Sequence, residues 1–537
     1  MQLSKHDLLQ LDADALAALS HAQLQGLSEK LLADLKLAHE RLDQAPSNSS
    51  RPPSSQAPWE RAGADRGDAA DQDSDEPSSQ ASSPELDAAC ADAAAAPSAD
   101  TTDESQRAAN ETPANTSDQK PATKRPGQRP GAPGHGRTQT FAITQVVEHH
   151  PTHCARCDSD LQDRAPGACH QAHFVLDLCD LGEARVGLEL IQTKHAYHER
   201  DCGCGHSTRA EPGHTPGDET WSVALSERHL VGPRLLSFIC ALSTRMHLSR
   251  RRIQEFLRDW LGLDLAIATI NQCLHEAGRA LEPVVEEQLL QQARDSGLLH
   301  ADETSWFEAG KLVWLWVFTS ATTTVFTIGA RSKAVLTRML GPLFNGWLMS
   351  DGYWAYRDYD NRLRCLAHVQ RKARGLEESL DRQARAFGEA VNGCLKAVMD
   401  SVYAAREGPP PMDLRQQHAE QLNALWCLCL EQFDAAHEKT RALARELLND
   451  FDTFWVTLDY PELPLTNNEA ERALRHWVIA RRITQGTRTA QGSRTVAILA
   501  SVIETCRKRG LSPWDFIAEA VTERRRAQPA PQLPAVA

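Results

Sequence analysis

At 537 residues the chain is longer than one hydrophobic core supports, so three or more units are expected. The net charge of −14 is wrong for a uniformly basic nucleic-acid binder, but it is local: residues 46–119 hold fifteen acidic side chains against four arginines, −11 in all, which leaves −3 elsewhere. Fourteen cysteines, with no unbroken apolar leader in MQLSKHDLLQLDADALA, point to a reducing cytosol, where paired cysteines hold metal more often than they form disulfides.

Residues 1–45 read as a leucine-rich, coiled-coil-like helix. Leu24, Leu27, Leu31 and Leu35, then Ala38 and Leu42, approximate an a/d seam, with Glu29, Lys30, Glu40 and Arg41 outside it. Packing on its own chain would use that stripe too. Self-association is favoured, because the tract that follows could not cover it. That tract, residues 46–122, is Ser, Ala, Pro, Asp and Glu with almost no large apolar side chains, and reads as a disordered acidic linker. The charge reverses in KPATKRPGQRPGAPGHGRTQ, where Lys120, Lys124, Arg125, Arg129 and Arg137 form a flexible cationic arm. Such an arm is either a solvated loop or a phosphate contact that gains affinity by releasing counterions from DNA.

Residues 123–215 join that arm to a metal-binding module. Cys154-Ala-Arg-Cys157 and Cys202-Gly-Cys204 are two cysteine pairs on tight turns, separated by a segment that alternates like two or three short strands. Brought together, they would make a structural, tetrahedral Zn²⁺ site. The compact second pair leaves the fourth ligand open, with His153, Cys169, His198 and His206 as alternatives. Residues 216–295 are helical in pattern. LSRRRIQEFLRDWLGLDLAIATINQCL reads as helix, turn at Gly262 and second helix from about Ala266, an arrangement like a helix-turn-helix with Thr269, Asn271 and Gln272 near the start of the second helix.

Residues 296–490 carry the chemistry. LLHADETSWFE, KLVWLWVFTS and TTTVFTIGARS read as three consecutive strands, KAVLTRMLGPLF as a helix and GWLMSDGYW as a fourth strand. The uncharged run 312–330 could nearly span a bilayer, but TSATTT in its middle and its β-branched and aromatic residues suit two adjacent strands. Asp302 and Asp351 sit near the ends of the first and fourth strands. Either aspartate alone is an ordinary strand-end residue; together with a glutamate on a later helix they form a set that could hold two Mg²⁺ (or Mn²⁺) ions for phosphodiester chemistry. In LTNNEAERAL both Glu469 and Glu471 qualify by type, but they lie about 200° apart on a helix, so only one can face the aspartates. Glu471 has Arg472 beside it and Arg475 one turn on; Asn467 and Asn468 are expected to cap the helix. A helical insertion with its own packing is expected over about 371–452. Beyond the glutamate, Arg481, Arg482, Arg488 and Arg494 make a basic segment suited to phosphate, and residues 491–537 read as a small C-terminal helical domain with a helix end at Gly510.

The motifs GQRPGAPGHGR, CARC…CGCG, HADETSW, the WLW run, SDGYWAY, RCLAHVQRKAR, TNNEAERALR and SVIETCRKRGLSPWDFI, in this order from about residue 120, resemble those of IS66 family transposases, DDE enzymes of bacterial insertion sequences. The resemblance implies a multidomain α+β protein: a leucine-zipper N-terminus, a zinc-binding domain, an RNase H-like α/β catalytic core and a C-terminal helical domain. It also implies Mg²⁺-dependent cleavage and strand transfer at terminal inverted repeats. It maps the acidic triad onto Asp302, Asp351 and Glu471, with Glu469 in a variable position. DNA, both terminal repeats and target, is the implied partner, with a homo-oligomer and accessory proteins from the same element. The implied location is the bacterial cytoplasm, at the nucleoid when bound to DNA. Three other readings remain: an inactive terminal-repeat binder, an RNase H-like nuclease that cuts without joining, and a recombinase using Tyr353 or Tyr356 as covalent nucleophile. The last leaves the acidic trio unexplained.

Overall fold

The computed structural model describes residues 19–42, 142–179, 188–212, 230–408 and 413–534, with Leu3 and Leu16 besides. The acidic linker and the arm carrying Lys120, Lys124, Arg125, Arg129 and Arg137 lie outside them. All described residues belong to one unit of the chain; the second unit, residues 62–140, contains none of them.

Helix α1 (His21–Leu42) covers the leucine-rich segment. Strands β1 (Gln145–His149), β2 (Cys169–Leu178), β3 (Leu190–Asp201) and β4 (Ser207–Arg209) then form a small sheet. Its centre is β3, parallel to β1 and antiparallel to β2 and β4. The buried rings of His149, His195 and Tyr197 stack within it, His149 lying 4.6 Å from Tyr197.

Four helices follow: α2 (Pro233–Thr244), α3 (Arg250–Leu261), α4 (Ile267–Pro283) and α5 (Leu290–Arg294). Ser249 caps α3 by accepting from the Arg252 amide, and Gly262 ends it at φ 64, a left-handed conformation that glycine adopts without a Cβ penalty. Pro283, which has no N–H to continue the ladder, ends regular α4; a π turn over Val284–Leu289 leads into α5.

The second sheet contains β5 (Leu298–Glu308), β6 (Lys311–Thr319) and β7 (Thr324–Gly329), then, after helix α6 (Lys333–Leu340), β8 (Trp347–Ser350) and β9 (Arg362–Arg364). Its order is β7-β6-β5-β8-β9. The first three strands are an antiparallel meander, and β8 and β9 run parallel to β5. The uncharged run over 312–330 is thus β6 and β7, and no helix among the described residues is long and apolar enough to cross a membrane.

Beyond β9, helices α7 (Leu366–Glu377), α8 (Arg382–Glu407), α9 (Leu414–Gln417), α10 (Ala419–Glu431), α11 (Glu438–Asn449) and α12 (Phe451–Phe454) fill the expected insertion. They bury a core of their own, running from Leu366 through Phe387 and Leu395 to Trp455 and Leu465. Arg364 fastens this core to the sheet. Its guanidinium is buried, donates to Glu446 at 2.6 Å and to Asp450, and lies over the Phe454 ring. The close approach explains Gly352, where a Cβ would meet the Arg364 guanidinium at 2.8 Å.

Helices α13 (Asn468–Thr484), α14 (Ala490–Lys508) and α15 (Pro513–Arg525) close the chain. α14 lies along the edge strand β7. Ser501 and Thr505 accept the Phe326 and Thr324 amides, so backbone groups that an open edge would expose are paired. The largest core joins β2, α2–α5, one face of the second sheet, α14 and α15. In mixed helix and strand content, with two separate sheets, the protein is α+β.

Candidate active site

The site is built on one stripe of side chains along β5. Alternation sends His300, Asp302, Thr304 and Trp306 to the same face of the sheet, and α13 lies across that face. At its first turn Asn467 donates to the Ala301 carbonyl at 2.8 Å and meets His300 Nδ1 at 3.1 Å. At its last turn Arg481 donates to the Thr304 hydroxyl at 2.9 Å and the Ser305 hydroxyl at 2.8 Å. Asn467, Glu471, Leu474, Val478 and Arg481 follow the i, i+4, i+7 spacing of a single helix face. Glu471 therefore lies on the same helix face as the two anchors.

Asp351 reaches the same place from the neighbouring strand. β5 and β8 pair in parallel, His300 opposite Met349; the register continued by two residues sets Asp302 beside Asp351. Both carboxylates are oriented by backbone amides, Asp302 accepting from Glu303 and Asp351 from Tyr353, each at 2.8 Å. Burial, then the charges of Asp351, Glu303 and Glu471, push the Asp302 carboxyl well above its ordinary range. A buried carboxyl with acidic neighbours is suited to a cation.

Glu469 faces elsewhere, 3.3 Å from Arg472 and 3.4 Å from Lys508. Glu471 Oε1 instead accepts from Arg371 at 3.0 Å, with His368 Nε2 at 3.6 Å. Burial, with Arg371, Lys372 and Arg364 nearby, pulls the His368 imidazole down to about 3, so it is neutral. From sequence, His368 and Arg371 could not be told apart from packing residues; the fold puts both on Glu471. One contributor carried no sequence signal of its own, and another has a role other than the cap expected of it. Glu303, on the opposite face of β5, is buried between Tyr356, which donates at 2.7 Å, and Arg331 at 2.8 Å; burial and Asp351 lift it to about 7. Asn467, expected as a helix cap, occupies the N-cap position without a side-chain capping bond. Its amide is spent on β5 instead, because a fully buried side chain must satisfy its polar atoms where partners exist.

Among the described residues two groups have ligand atoms all within 4.8 Å of one another: Cys154, Cys157, Cys202 and Cys204, and Cys365, His368 and Glu471. The three carboxylates are not such a group. In the second cluster Cys365 Sγ accepts the Asn467 amide at 3.2 Å, and burial pushes its thiol up to about 11. In the first, Cys154 and Cys204 sulfurs lie 3.7 Å apart and those of Cys157 and Cys202 3.5 Å apart. Burial raises the Cys154 thiol, but the Arg156 and Cys157 amides and the Cys157 and Cys202 thiols outweigh it and bring it down to about 6. Two of the alternative ligands are otherwise engaged: His198 contacts Glu148 at 2.5 Å and the Gly167 carbonyl at 3.0 Å, and Cys169 donates to the Gln171 carbonyl.

The basic residues divide. Arg481 is committed to Thr304 and Ser305, and Arg494 to Glu282 and Glu286, so both brace the fold. Arg472, Arg475, Arg482 and Arg488 are exposed on α13 and the loop after it.

Residues 228–495 match the family model described as Transposase IS66 family, a span that contains all three acidic residues and excludes the cysteine quartet. The chain is 24% identical over 429 residues to the uncharacterized protein y4qI of Sinorhizobium fredii, covering 72% of this chain and 75% of that protein. It is 25% identical over 172 residues to the uncharacterized protein y4jO of the same organism, covering 32% of this chain and 51% of that one.

Proposed function

Because the chain belongs, through residues 228–495, to the IS66 family of transposases, we propose that it is a DDE enzyme that cuts and joins DNA at the ends of an insertion sequence, with Asp302, Asp351 and Glu471 as its metal-binding triad. The observation that carries this reading is that β5 and β8, the strands bearing Asp302 and leading to Asp351, pair in parallel, while α13, bearing Glu471, is anchored to β5 through Asn467 and Arg481. The sheet order, with an antiparallel meander followed by two parallel strands, and the helix α13 across it, support an RNase H-like core.

The donor set fits Mg²⁺ or Mn²⁺: hard carboxylate oxygens, with amides fixing two of them. A two-ion site places its ions ~3.5–4 Å apart, so the outer carboxylates need not approach as closely as ligands of one ion do. When bound, the metal lowers the pKa of the attacking water or 3′-hydroxyl and neutralises the leaving oxygen. The protein's part is positioning. Asp302 and Asp351 would be held by strand register and Glu471 by the α13 stripe, with Arg371 as the guanidinium partner of Glu471 that a cation would replace. The exposed Arg472, Arg475, Arg482 and Arg488 line the approach and would hold phosphates, as would Lys124, Arg125 and Arg129 of the arm.

Other parts of the reading go with it. The four cysteines fit structural Zn²⁺, since sulfurs ~2.3 Å from a tetrahedral ion stand ~3.8 Å apart. Self-association through α1, accessory proteins of the same element and a place at the bacterial nucleoid complete the proposal. Its test is strand transfer with the element's terminal DNA and Mg²⁺. Asp302→Asn, Asp351→Asn and Glu471→Gln should each lose ~10²-fold or more of the joined product while still binding DNA, and Glu469→Gln should keep it. An inactive Glu469→Gln with an active Glu471→Gln would overturn the assignment. Cutting without joining would make this a nuclease, and binding alone a regulator.

A further inference from the structure

A cavity of about 570 Å³ opens beside Trp306 of β5, and of its lining residues the reading above uses only Arg488. Trp306 of β5 and Trp477 of α13 form part of its wall, Asn271 and His275 enter from α4, His247 from the turn after α2, and Arg488 from the loop after α13. That loop is fixed by Gly486, which sits at φ +87 and so close to β5 that a Cβ would meet the Phe307 carbonyl oxygen at 2.1 Å. The volume falls within the roughly 300–1,000 Å³ of small-molecule sites, and mostly apolar walls with a few polar groups are their usual chemistry.

No aspartate or glutamate lines the cavity. Trp306 donates its indole N–H to Thr487 at 3.2 Å, but Trp477, 2% exposed, has a buried Nε1 with no hydrogen-bond partner, and His247 Nδ1 is likewise buried and unpaired. Arg250, deep in the wall, donates to the Ser243 hydroxyl at 2.9 Å and has no carboxylate partner among the described residues. The site therefore offers aromatic faces with hydroxyl, imidazole, amide and guanidinium groups, and no carboxylate, to an occupant with a flat ring and negative charge. His247, already stacked on His476 at 4.4 Å, adds a flat surface.

We propose that this cavity binds one nucleotide, its base against Trp477, His247 and Asn271 and its phosphate at Arg488. Asn271 suits the edge of a base, on which an amide both donates and accepts. The position suggests the source. Trp306 lies four residues beyond Asp302 on the same strand face, ~13 Å at ~3.3 Å per residue, a few nucleotide steps from the cut. Enzymes that act on DNA commonly turn a nucleotide out of the stack into such a pocket. A free nucleotide from solution has the same chemistry. Only the choice of DNA as the source rests on the strand-transfer reading.

The test uses the full chain with two probes: deoxynucleoside monophosphates added singly, and terminal DNA carrying 2-aminopurine at successive positions near the cleavage end. A position-specific fluorescence rise of severalfold on binding is expected, since unstacking relieves quenching. It should be reduced about tenfold by Asn271→Ala and by Arg488→Ala, both at positions that are not buried and so are safe for folding. Saturable binding of a monophosphate, weakened by the same variants, with no DNA response would also support the cavity and assign its occupant to solution. If no position responds and no monophosphate binds, or if neither variant alters the signal, the proposal is overturned. A protein that cuts and joins with no response in either arm fails this inference alone; one that binds nucleotides but does no strand chemistry fails the functional reading alone.

Discussion

His476 shows how one side chain couples packing to pH. Its Nε2 pairs with the Thr244 carbonyl at 2.7 Å, and burial, aided by Arg245, His247 and Arg507, holds the imidazole at about 4. An unfolded histidine takes its proton near 6.5. Between those values the unfolded chain binds more protons than the folded one. The stability contribution is therefore fully present above pH 6.5 and is lost as pH falls toward 4. The full shift would be worth about 3 kcal/mol; His476 is only half-buried, so screening leaves about 1–2 kcal/mol. His476→Gln, which keeps a donor for Thr244, should flatten the urea midpoint between pH 6.5 and 4 and leave it nearly unchanged at pH 8. An unaltered slope would remove His476 from the account. The two glutamates of NNEAER teach the same lesson about legibility. Helical geometry alone says that Glu469 and Glu471 face apart, but which one meets the aspartates depends on Asn467 and Arg481 anchoring α13 to β5.

At the scale of elements, strands were the most legible feature. β5, β6, β7 and β8 lie within the apolar runs that signal them, because a strand's pattern is local and its period is two. The cysteine pairs were legible for a related reason, since each knuckle is a short turn. Their meeting was not, because it depends on β1, β3 and β4 pairing across some fifty residues. The small sheet has little apolar core around those turns, so metal is expected to supply much of its order. Purified protein should contain one zinc per chain by elemental analysis, lost in Cys157→Ser. Chelation should open residues 142–212 to limited proteolysis while the second sheet resists. Full resistance after the zinc is gone would show that the module folds without it.

At the scale of the molecule, α1 has two roles to reconcile. Glu40 near its end docks on the insertion, accepting from Ser379 and lying 3.2 Å from His437, with Lys439 at 3.7 Å. Leu24, Leu31, Leu32 and Leu35 nevertheless remain exposed, Leu35 at 57%. Docking through a polar foot and self-association through a leucine stripe are therefore compatible. The double substitution Leu31→Glu, Leu35→Glu should lower the sedimentation mass from that of an oligomer to that of a single chain, with the thermal midpoint of the core unchanged. A wild-type chain that sediments as a monomer would sink self-association through this stripe.

What the sequence made legible unaided was local: the strands and helices, the paired cysteines and the acidic residues worth testing. Each follows from a pattern of a few residues, governed by backbone period and side-chain type. Tertiary structure alone decided which partners those residues keep. It set Arg371 and His368 on Glu471, gave Asn467 to β5, committed Arg481 and Arg494 to bracing, and left Trp477 and His247 unpaired beside a cavity. These pairings join residues far apart in the chain, and burial decides them by requiring each polar group to find whatever partner the packed elements bring within reach.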